Sequence, residues 1–315
     1  MLLTFILRRF LFVVPTLVGI SLVVFSLSYL APGDPALAIL GLDAEGDITI
    51  DKKDLERVRK EMGFDRPIYI QYLDWAADAI RGDFGKSYVQ PFRVSALILD
   101  ALPTTLALMF GTMFVAVLIG IPLGILSAAK QSTVTDYIAR LLAITGVSMP
   151  VFWEALLLII LFTFVLPIFP MHGGVEEKGW MAAVLPVLAI ATHPAALIAR
   201  MMRSSMLEVL TQDFIRTAVA KGLSVQRVIC GHALRNALNP VITVIGFQFA
   251  NLIGGAVVVE FIFAMPGMGK LLIDSILSKD IVTVQAIVLL ISLVFVGANL
   301  IVDVMYSILD PRIRY

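Results

Sequence analysis

The sequence has little charge and almost no cysteine. Charged residues make up 15% of the 315 residues, where a soluble domain carries about a quarter. Hydrophobic residues make up 59%, and they fall in long uninterrupted runs. This composition excludes an ordinary soluble domain and predicts a protein that crosses a membrane several times. The single cysteine, Cys230, excludes an internal disulfide and a multi-cysteine metal site.

Residue types that carry chemistry are also sparse. The three histidines lie far apart, and no group of histidine, cysteine or carboxylate residues has the spacing of metal ligands. The stretch FAMPGMGKLL is similar to a phosphate-binding loop. However, Ala264 replaces its first glycine, and Leu271 replaces the Ser or Thr that binds Mg²⁺. We therefore expect no bound metal, no cofactor and no catalytic site in this chain.

Six apolar runs predict an all-α fold with six transmembrane helices. Each run is long enough to cross about 30 Å of hydrocarbon as a helix. The predicted spans are 10–31, 104–129, 138–168, 180–199, 239–263 and 283–306. The third is long enough to be tilted, bent or broken. The first is too long for a cleavable signal peptide, so a retained anchor helix is expected.

Lysine and arginine residues are distributed unevenly along this topology. With the N-terminus in the cytoplasm, the cytoplasmic segments hold twelve of them and the two short external loops only three. The remaining nine lie in segment 32–103, which is long enough to cross the membrane regardless of its charge. Both termini are therefore predicted to be cytoplasmic.

The predicted topology divides the chain into an N-terminal helix, an external subdomain and a core of five spans. These parts are 1–31, 32–103 and 104–315. Within the subdomain, one helix is predicted from Asp51 to its terminator Gly63. A second is predicted from Pro67 to Gly82, with Ile68, Tyr72 and Trp75 on one stripe.

The segment 200–238 is polar and basic, with six basic residues and two acidic ones. Its first half predicts one helix that reaches Lys221, with Leu207, Leu210, Phe214 and Ala218 on one face. Gly222 is a natural left-handed terminator. Ser224 is expected to cap a second helix through its hydroxyl, and Asn239–Pro240 to end that helix. The elbow at Ala220–Ser224 is expected to dock on a partner. The alternative is a plain positively charged cytoplasmic loop.

DFIRTAVAKGLSVQRVICGHALRNALNP resembles the EAA loop of ABC importer permeases, in the form found in the dipeptide/oligopeptide/nickel subfamily. The resemblance covers the whole chain, because further stretches are similar to other signatures of that subfamily: APGDPALAILG, MGFDRPIYIQYLDW, RGDFGKS, ALPTTLAL, PGMGKLL and DPRIR. The acidic residue of the Glu-Ala-Ala triplet is absent here, where the sequence reads Arg216-Thr217-Ala218.

The resemblance implies a type I ABC importer permease in a bacterial inner membrane. Its partners would be a homologous second permease, two ATPase subunits that bind ATP and Mg²⁺, and an external solute-binding protein. The residues implied to couple to an ATPase subunit are Arg216, Thr217, Ala218, Ala220, Lys221, Gly222, Leu223 and Ser224. Dipeptides, longer peptides, glutathione and chelated nickel all stay open as substrates.

Few ionisable residues lie inside the predicted spans. A proton- or sodium-coupled carrier would show several buried acids, so this scarcity favours an external energy source. The candidates for the translocation pathway are Glu154, Met149, Gln248 and Asn251. An interhelical partner is the simpler explanation of Glu154. A turn near the outer gate is predicted at Pro266, Gly267 and Gly269.

Two ambiguities remain at the level of sequence. The stretches SMPVFW and GIPLG place prolines and small residues inside spans, which fits either close helix packing with tolerated kinks or hinges for gating. The rival function is a self-sufficient secondary carrier or channel, and a membrane-embedded enzyme is a weaker alternative. The importer permease differs from both in depending on ATPase subunits.

Overall fold

Helices form almost all of the regular structure. The computed structural model describes the backbone of residues 2–30, 56–57, 60, 65–170 and 179–309, and their side chains except at 2–10, 27–30 and 303–309. The helices are α1 (Leu2–Leu30), α2 (Ile68–Ile80), α3 (Val94–Ala129), α4 (Val134–Ser148), α5 (Val151–Val165), α6 (Met181–Leu210), α7 (Asp213–Ala220), α8 (Val225–Ile262), α9 (Met268–Leu277) and α10 (Ile281–Leu309). No strand occurs among these residues beyond one isolated bridge between Lys86 and Arg93. The predicted all-α class is confirmed.

Four of the described helices are long and apolar enough to cross a membrane: α3, α6, α8 and α10. A fifth crossing follows if α4 and α5 together form one span. The first predicted span falls on α1, where the described side chains form a shorter apolar helix at Leu11–Ser26. The total of six therefore stays a prediction. α3 begins at Val94, so the boundary predicted at 103/104 lies inside a helix.

The third predicted span is broken. α4 and α5 meet at an angle of 107°. The break falls at Met149 and Pro150, where Met149 has extended backbone angles that end α4. Pro150 then precedes the first residue of α5 and accepts hydrogen bonds from the amides of Trp153 and Glu154. A residue before proline disfavours the helical conformation, which explains why the chain turns here.

The centre of the bundle is α6, which packs against α3, α4, α5 and α8. Its closest crossing is with α3, at Gly120 and Gly124. A Cβ atom at Gly124 would lie 2.6 Å from the carbonyl oxygen of Ala199, and one at Gly120 would lie 2.7 Å from that of Ala195. Small residues spaced four apart allow backbones to approach in this way. The close-packing interpretation of GIPLG is therefore confirmed, and Pro122 is accommodated inside the continuous α3.

The second helix predicted in the external subdomain is confirmed as α2. Pro67 stands at its start, and Gly82 follows its end with φ +79°. Tyr72 and Trp75 pack against Phe25 of α1, and the Tyr72 hydroxyl forms a 2.8 Å hydrogen bond with that of Ser21. The third residue of the predicted stripe, Ile68, is exposed instead. The first predicted helix, Asp51 to Gly63, lies largely outside the described residues, including both end signals.

A buried carboxylate joins the turn at 85–93 to α10. Asp280, between α9 and α10, is 2% exposed. It accepts hydrogen bonds from the Ser87 hydroxyl, the Tyr88 amide and the Thr283 hydroxyl. Burial and the Asp280 carboxylate together raise the pKa of Tyr88 to about 12. The turn at 85–93 is thereby fixed to the corner that precedes α10.

Candidate functional site: the α7–α8 corner

A short amphipathic helix lies at the end of α6. The single helix predicted up to Lys221 is wrong, because α6 ends at Leu210 and α7 begins at Asp213. The Thr211 hydroxyl donates a hydrogen bond to the carbonyl of Glu208 at 2.8 Å. Such side-chain bonds to the backbone compete with helical hydrogen bonds, which helps to end α6 here. The break rotates the buried face. Ile215 and Ala218 are buried, whereas Phe214, predicted to share a face with Ala218, is 40% exposed.

The turn after α7 is set by Gly222. Its φ is +78°, as expected for a left-handed terminator. The amide of Leu223 donates to the carbonyl of Ala218, and that of Gly222 donates to the carbonyl of Val219. This pair of bonds is the Schellman motif, with the apolar residue after the glycine packed back on the core. The turn is therefore closed by backbone hydrogen bonds and is not a loose loop.

Two expectations for the second helix are wrong. Ser224 stands at the N-cap with extended backbone angles, but its side chain makes no capping hydrogen bond. Nor does the helix end at Asn239–Pro240, because α8 continues from Val225 to Ile262. Proline removes only one backbone donor. Here Ala237 and Val241, on either side of Pro240, are fully buried and hold the helix in place by packing.

The start of α8 contains a wider turn. Residues Val228–Ala233 form a π-helical segment that contacts α7. Val228 and Ala233 are buried, so the segment seats α8 against the same core that receives Ile215 and Ala218. π-helical turns occur frequently at functional sites. The two helices and the turn between them thus form one packed corner.

The corner presents a mostly exposed surface. Of the eight residues predicted to couple, Ala218 is buried and Leu223 half-buried, and the others are exposed: Arg216, Thr217, Ala220, Lys221, Gly222 and Ser224. Arg227 and Arg235 add exposed positive charge along α8. A Cβ atom at Gly222 would meet nothing within 4 Å. A surface of this kind can enter a groove of another molecule.

A buried ion pair braces the bundle behind this corner. Asp136, on the first turn of α4, is 1% exposed. Arg203 of α6 donates from Nε to Oδ1 at 2.8 Å and from Nη2 to Oδ2 at 3.0 Å. The Ser127 hydroxyl and the Ser132 amide donate to the same carboxylate, at 2.6 and 3.0 Å. One side chain therefore ties together the end of α3, the turn after it, α4 and α6.

The predicted pathway residues fall at the start of α5 and on α8, and these two helices pack together. Met149 lies in the break before α5 and Glu154 in the first turn of α5, and both are half-buried. Gln248 is half-buried on α8. Asn251 lies one turn further and is exposed, with its amide bonded to the carbonyl of Phe247 at 3.0 Å. The structure thus places these four residues along neighbouring helices without giving any of them a role.

The predicted outer turn contains a helix that the sequence did not reveal. Gly267 ends the turn, but Gly269 lies in the first turn of α9. Glu260 of α8 is fully buried, and it accepts hydrogen bonds from the amides of Gly269 and Lys270 at 2.7 and 3.4 Å. A remote carboxylate therefore caps α9. Both glycines are needed for this approach, since a Cβ atom at Gly267 would lie 2.3 Å from the Glu260 carboxyl group.

Sequence reasoning missed Asp136, Arg203 and Glu260 as bracing residues. The available signal was that charged residues are rare inside or beside the apolar runs, and such residues usually need a partner. Asp136 and Arg203 lie on different helices, so no local spacing joins them. Glu260 lies nine residues before Gly269, and PGMG could have been interpreted as a place for close approach to a neighbour.

Comparison with known proteins decides the family. A family model described as "Binding-protein-dependent transport system inner membrane component" matches residues 120–315. A second model, for the N-terminal part of such components, matches residues 2–109. A protein of Brucella abortus named as a peptide transport system permease is 40% identical over 98% of both chains. The glutathione transport system permease of Escherichia coli K12 is 39% identical over 99% of both chains. The chain belongs to the ABC importer permeases of the peptide/nickel family.

Solved structures place the same fold in other ABC transporters. The MetNI methionine transporter, in inward-facing conformations, has a TM-score of 0.54 at 19% identity, over 68% of this chain and 96% of that one. An amino acid ABC transporter has a TM-score of 0.51 at 15% identity, over 68% and 94%. The permease is thus a multi-pass membrane component of a bacterial importer. It works with ATPase and binding-protein partners and is not itself catalytic.

Proposed function

We propose that this permease forms half of the translocation pathway of a peptide importer and receives mechanical work at the α7–α8 corner. The observation that carries the proposal is the Schellman turn at Gly222, which gives an exposed corner a fixed shape. A homologous second permease supplies the other half of the pathway. Two ATPase subunits each receive one corner, and an external solute-binding protein delivers the substrate.

The distribution of charge sets the orientation of this assembly. Twelve basic residues would lie on the cytoplasmic side and three in the short external loops, so both termini face the cytoplasm. The α7–α8 corner then lies where ATP is available. Its exposed Arg216 and Lys221 suit an acidic cleft in the partner. The outer turn around Gly267 and the α9 helix lie on the opposite side, as part of the external gate.

Transmission of work needs stiffness. ATP-driven closure of the ATPase subunits would push the two corners together, and a flexible loop would absorb that displacement. Here Ile215 and Ala218 anchor α7 in the core, and Asp136 braces α6 against α3 and α4. The stroke is thus carried into α6, the helix with the widest packing in the bundle. Rocking of α6 and the broken α4–α5 pair would open the translocation pathway alternately to each side of the membrane.

The chain contributes no chemistry of its own to this cycle. ATP and Mg²⁺ bind the partner subunits, and the complete complex is the ATP-dependent translocase. The described residues contain no cluster of three metal-ligating side chains. Glu154, Met149, Gln248 and Asn251 are the proposed contacts along the pathway, with Glu154 able to meet the amino group of a peptide.

Peptides are the favoured substrate because relatives of nearly identical length carry the names of peptide and glutathione transport permeases. Glutathione is itself a short peptide, so one pathway chemistry serves both. Chelated nickel is the alternative within the same family. Calorimetric titration of the cognate binding protein with dipeptides, longer peptides, glutathione and chelated nickel identifies the class. Binding of nickel chelates alone would overturn the peptide assignment.

Reconstitution tests whether this chain needs the other subunits for transport. We expect sealed vesicles that contain only this chain to show no peptide flux, because the energy and the second half of the pathway are missing. Vesicles with all subunits, binding protein and ATP should accumulate peptide. Flux through the isolated chain would instead support the rival function, a self-sufficient carrier.

A further inference from the structure

A cavity of about 400 Å³ lies between α3, α4 and α6, near the end of the bundle that carries the α7–α8 corner. Three of its lining residues are arginines: Arg140 of α4, and Arg200 and Arg203 of α6. No acidic residue lines it. Neither the proposed coupling at the α7–α8 corner nor the four proposed pathway residues use this space.

The cavity carries a net positive charge. Arg203 is neutralised by its two hydrogen bonds to Asp136, which sits behind the cavity wall. Arg140 is 3.8 Å from the same carboxylate and lies over the ring of Tyr137, with 44% of its side chain exposed. Arg200 is exposed and has no hydrogen-bond or ion-pair partner among the described side chains. Three positive charges against one negative charge leave an unpaired charge of about two for a ligand to match.

The three arginines border the apolar part of the helices. Residues 181–199 of α6 contain no charged side chain, and Arg200 is the first one after them. Arg140 holds the corresponding position before the uncharged run 141–153 of α4 and α5. Charged residues that end an apolar run lie where the hydrocarbon core meets the headgroups. The cavity therefore opens at headgroup level.

The rest of the cavity is mostly apolar, with three serines among its lining residues. Beyond the arginines, its lining is mostly alanine, leucine, isoleucine and valine. The adjoining face of α4 leaves large side chains exposed: Tyr137, Ile138, Leu141, Leu142 and Ile144. A ligand that fits both parts has a negative head and a hydrocarbon body. A small inorganic anion matches only the arginines.

We propose that this cavity binds the phosphate-bearing headgroup of an anionic phospholipid. The phosphate would lie between Arg140 and Arg200, with the exposed hydroxyl-bearing Ser204 as a further donor. The acyl chains would run along the exposed face of α4. Basic cavities between transmembrane helices are suited to such headgroups, because charge attraction and apolar burial act together. The lipid would link α4 to α6 at the site that Asp136 braces from behind.

The test is lipid retention by the full chain, measured by native mass spectrometry after exchange into mixed micelles of phosphatidylglycerol and phosphatidylcholine. Each cationic contact to an anionic lipid contributes about fivefold in affinity. We therefore expect phosphatidylglycerol to be retained about 25-fold more strongly than phosphatidylcholine, with a preference that falls at high salt. Equal retention of the two lipids would overturn the proposal.

Matched variants separate this cavity from general surface charge. Arg200→Gln should weaken phosphatidylglycerol retention about fivefold, and a double variant with Arg140→Gln about 25-fold. Arg235→Gln, an exposed arginine on α8 outside the cavity, should leave retention unchanged. An equal loss in Arg235→Gln would contradict a specific site. The readout requires no transport, so it stands or falls independently of the proposed function.

Two further arms identify the source of the anion. Millimolar inorganic phosphate or glycerol phosphate should not displace the lipid, because neither fills the apolar part. Displacement by these soluble ions would assign the cavity to a free anion and overturn the lipid. A loss of peptide uptake in Arg200→Gln with unchanged lipid retention would assign the cavity to the transported solute instead.

Discussion

Three single residues hold parts of the bundle that the proposed mechanism needs to be rigid. Gly222 shapes the turn, Asp136 binds four groups from three segments, and Glu260 caps α9 from a different helix. Each acts through the backbone or through a buried carboxyl group, so conservative substitutions at these positions are informative. The first could be predicted from the sequence, because glycine after a helix with an apolar residue behind it is a local signal. The other two depend on partners that only the fold brings together.

Gly222→Ala tests the shape of the corner. There is open space around a Cβ atom at this position, so the cost is conformational and not steric. An alanine at φ +78° costs about 1–2 kcal/mol, which lowers the population of the native turn about five- to thirtyfold. We expect normal membrane insertion and reduced stimulation of ATP hydrolysis by the binding protein, measured in the reconstituted complex.

The control is Gly231→Ala. This glycine is also exposed and unobstructed, but it lies in the π-helical turn without a positive φ. Its ATPase stimulation should match the unmodified protein. Gly222→Asn should fall between the two, since asparagine tolerates the left-handed region better than alanine does. Equal ATPase stimulation in all four proteins would contradict the role given to the turn.

Asp136→Asn tests the brace. The amide keeps the size of the side chain but loses the charge that Arg203 and Ser127 bind. Loss of a hydrogen bond to a charged group costs about 1.5–3 kcal/mol, and this site has several. We expect a clearly lower thermal unfolding midpoint in detergent and faster amide exchange around residues 127–136. Asp213→Asn is the control, because that carboxylate is 94% exposed and its pair with Arg216 contributes less than about 1 kcal/mol. Equal shifts in both variants would argue against a buried brace.

Gly269→Ala tests the seat of α9. Its Cβ atom would lie 2.3 Å from the Cα atom of Val257, which is backbone and cannot rotate away. Overpacking of this kind costs about 1–3 kcal/mol or more, so we expect a lower folded yield and new proteolytic cleavage between 263 and 280. Gly254→Ala on α8 meets no atom within 4 Å and should be neutral or slightly stabilising. Unchanged protease resistance in Gly269→Ala would show that α9 is not held as described.

At the scale of elements, helices were predicted far better than their ends. Apolar runs indicated α3, α6, α8 and α10 because a membrane requires long helices with satisfied backbone. The break at Thr211–Gln212 has no proline or glycine to announce it, so the periodicity across it indicated one helix. The reverse error occurred at Pro240, where packing of both neighbours outweighs one missing hydrogen bond. The motif PGMG predicts a turn but does not indicate the helix that follows it, so α9 was missed.

The contact of the turn at 85–93 with the α9–α10 corner gives a prediction at this scale. Asp280→Asn removes the charge that binds Ser87 and Tyr88, so the turn at 85–93 should detach from the α9–α10 corner. We expect faster amide hydrogen exchange in 85–93 with unchanged exchange in α6. Asp274→Asn, on the exposed side of α9, should leave 85–93 protected. Protection retained in Asp280→Asn would mean that other contacts hold the turn.

At the scale of the whole molecule, the bundle is organised around α6. This helix packs on four others, and its far end leads into the α7–α8 corner. Under the proposed mechanism, motion imposed at the corner would reach α4, α5 and α8 through their packing contacts with α6. The family and the turn at Gly222 could be predicted from the sequence, because short local motifs indicate both. The sequence could not predict which helix is central, since that depends on glycines and alanines whose role appears only at a crossing.

Cross-linking of the corner to an ATPase subunit tests the central claim most directly. In a Cys230→Ser background, Ser224→Cys places one thiol on the exposed turn, and Ser278→Cys places one at the opposite end beyond α9. We predict that a short thiol cross-linker joins position 224, and not position 278, to an ATPase subunit in the assembled complex, with a yield that changes on addition of ATP. An ATPase cross-link from 278, or none from 224 in a complex that hydrolyses ATP, would contradict the account.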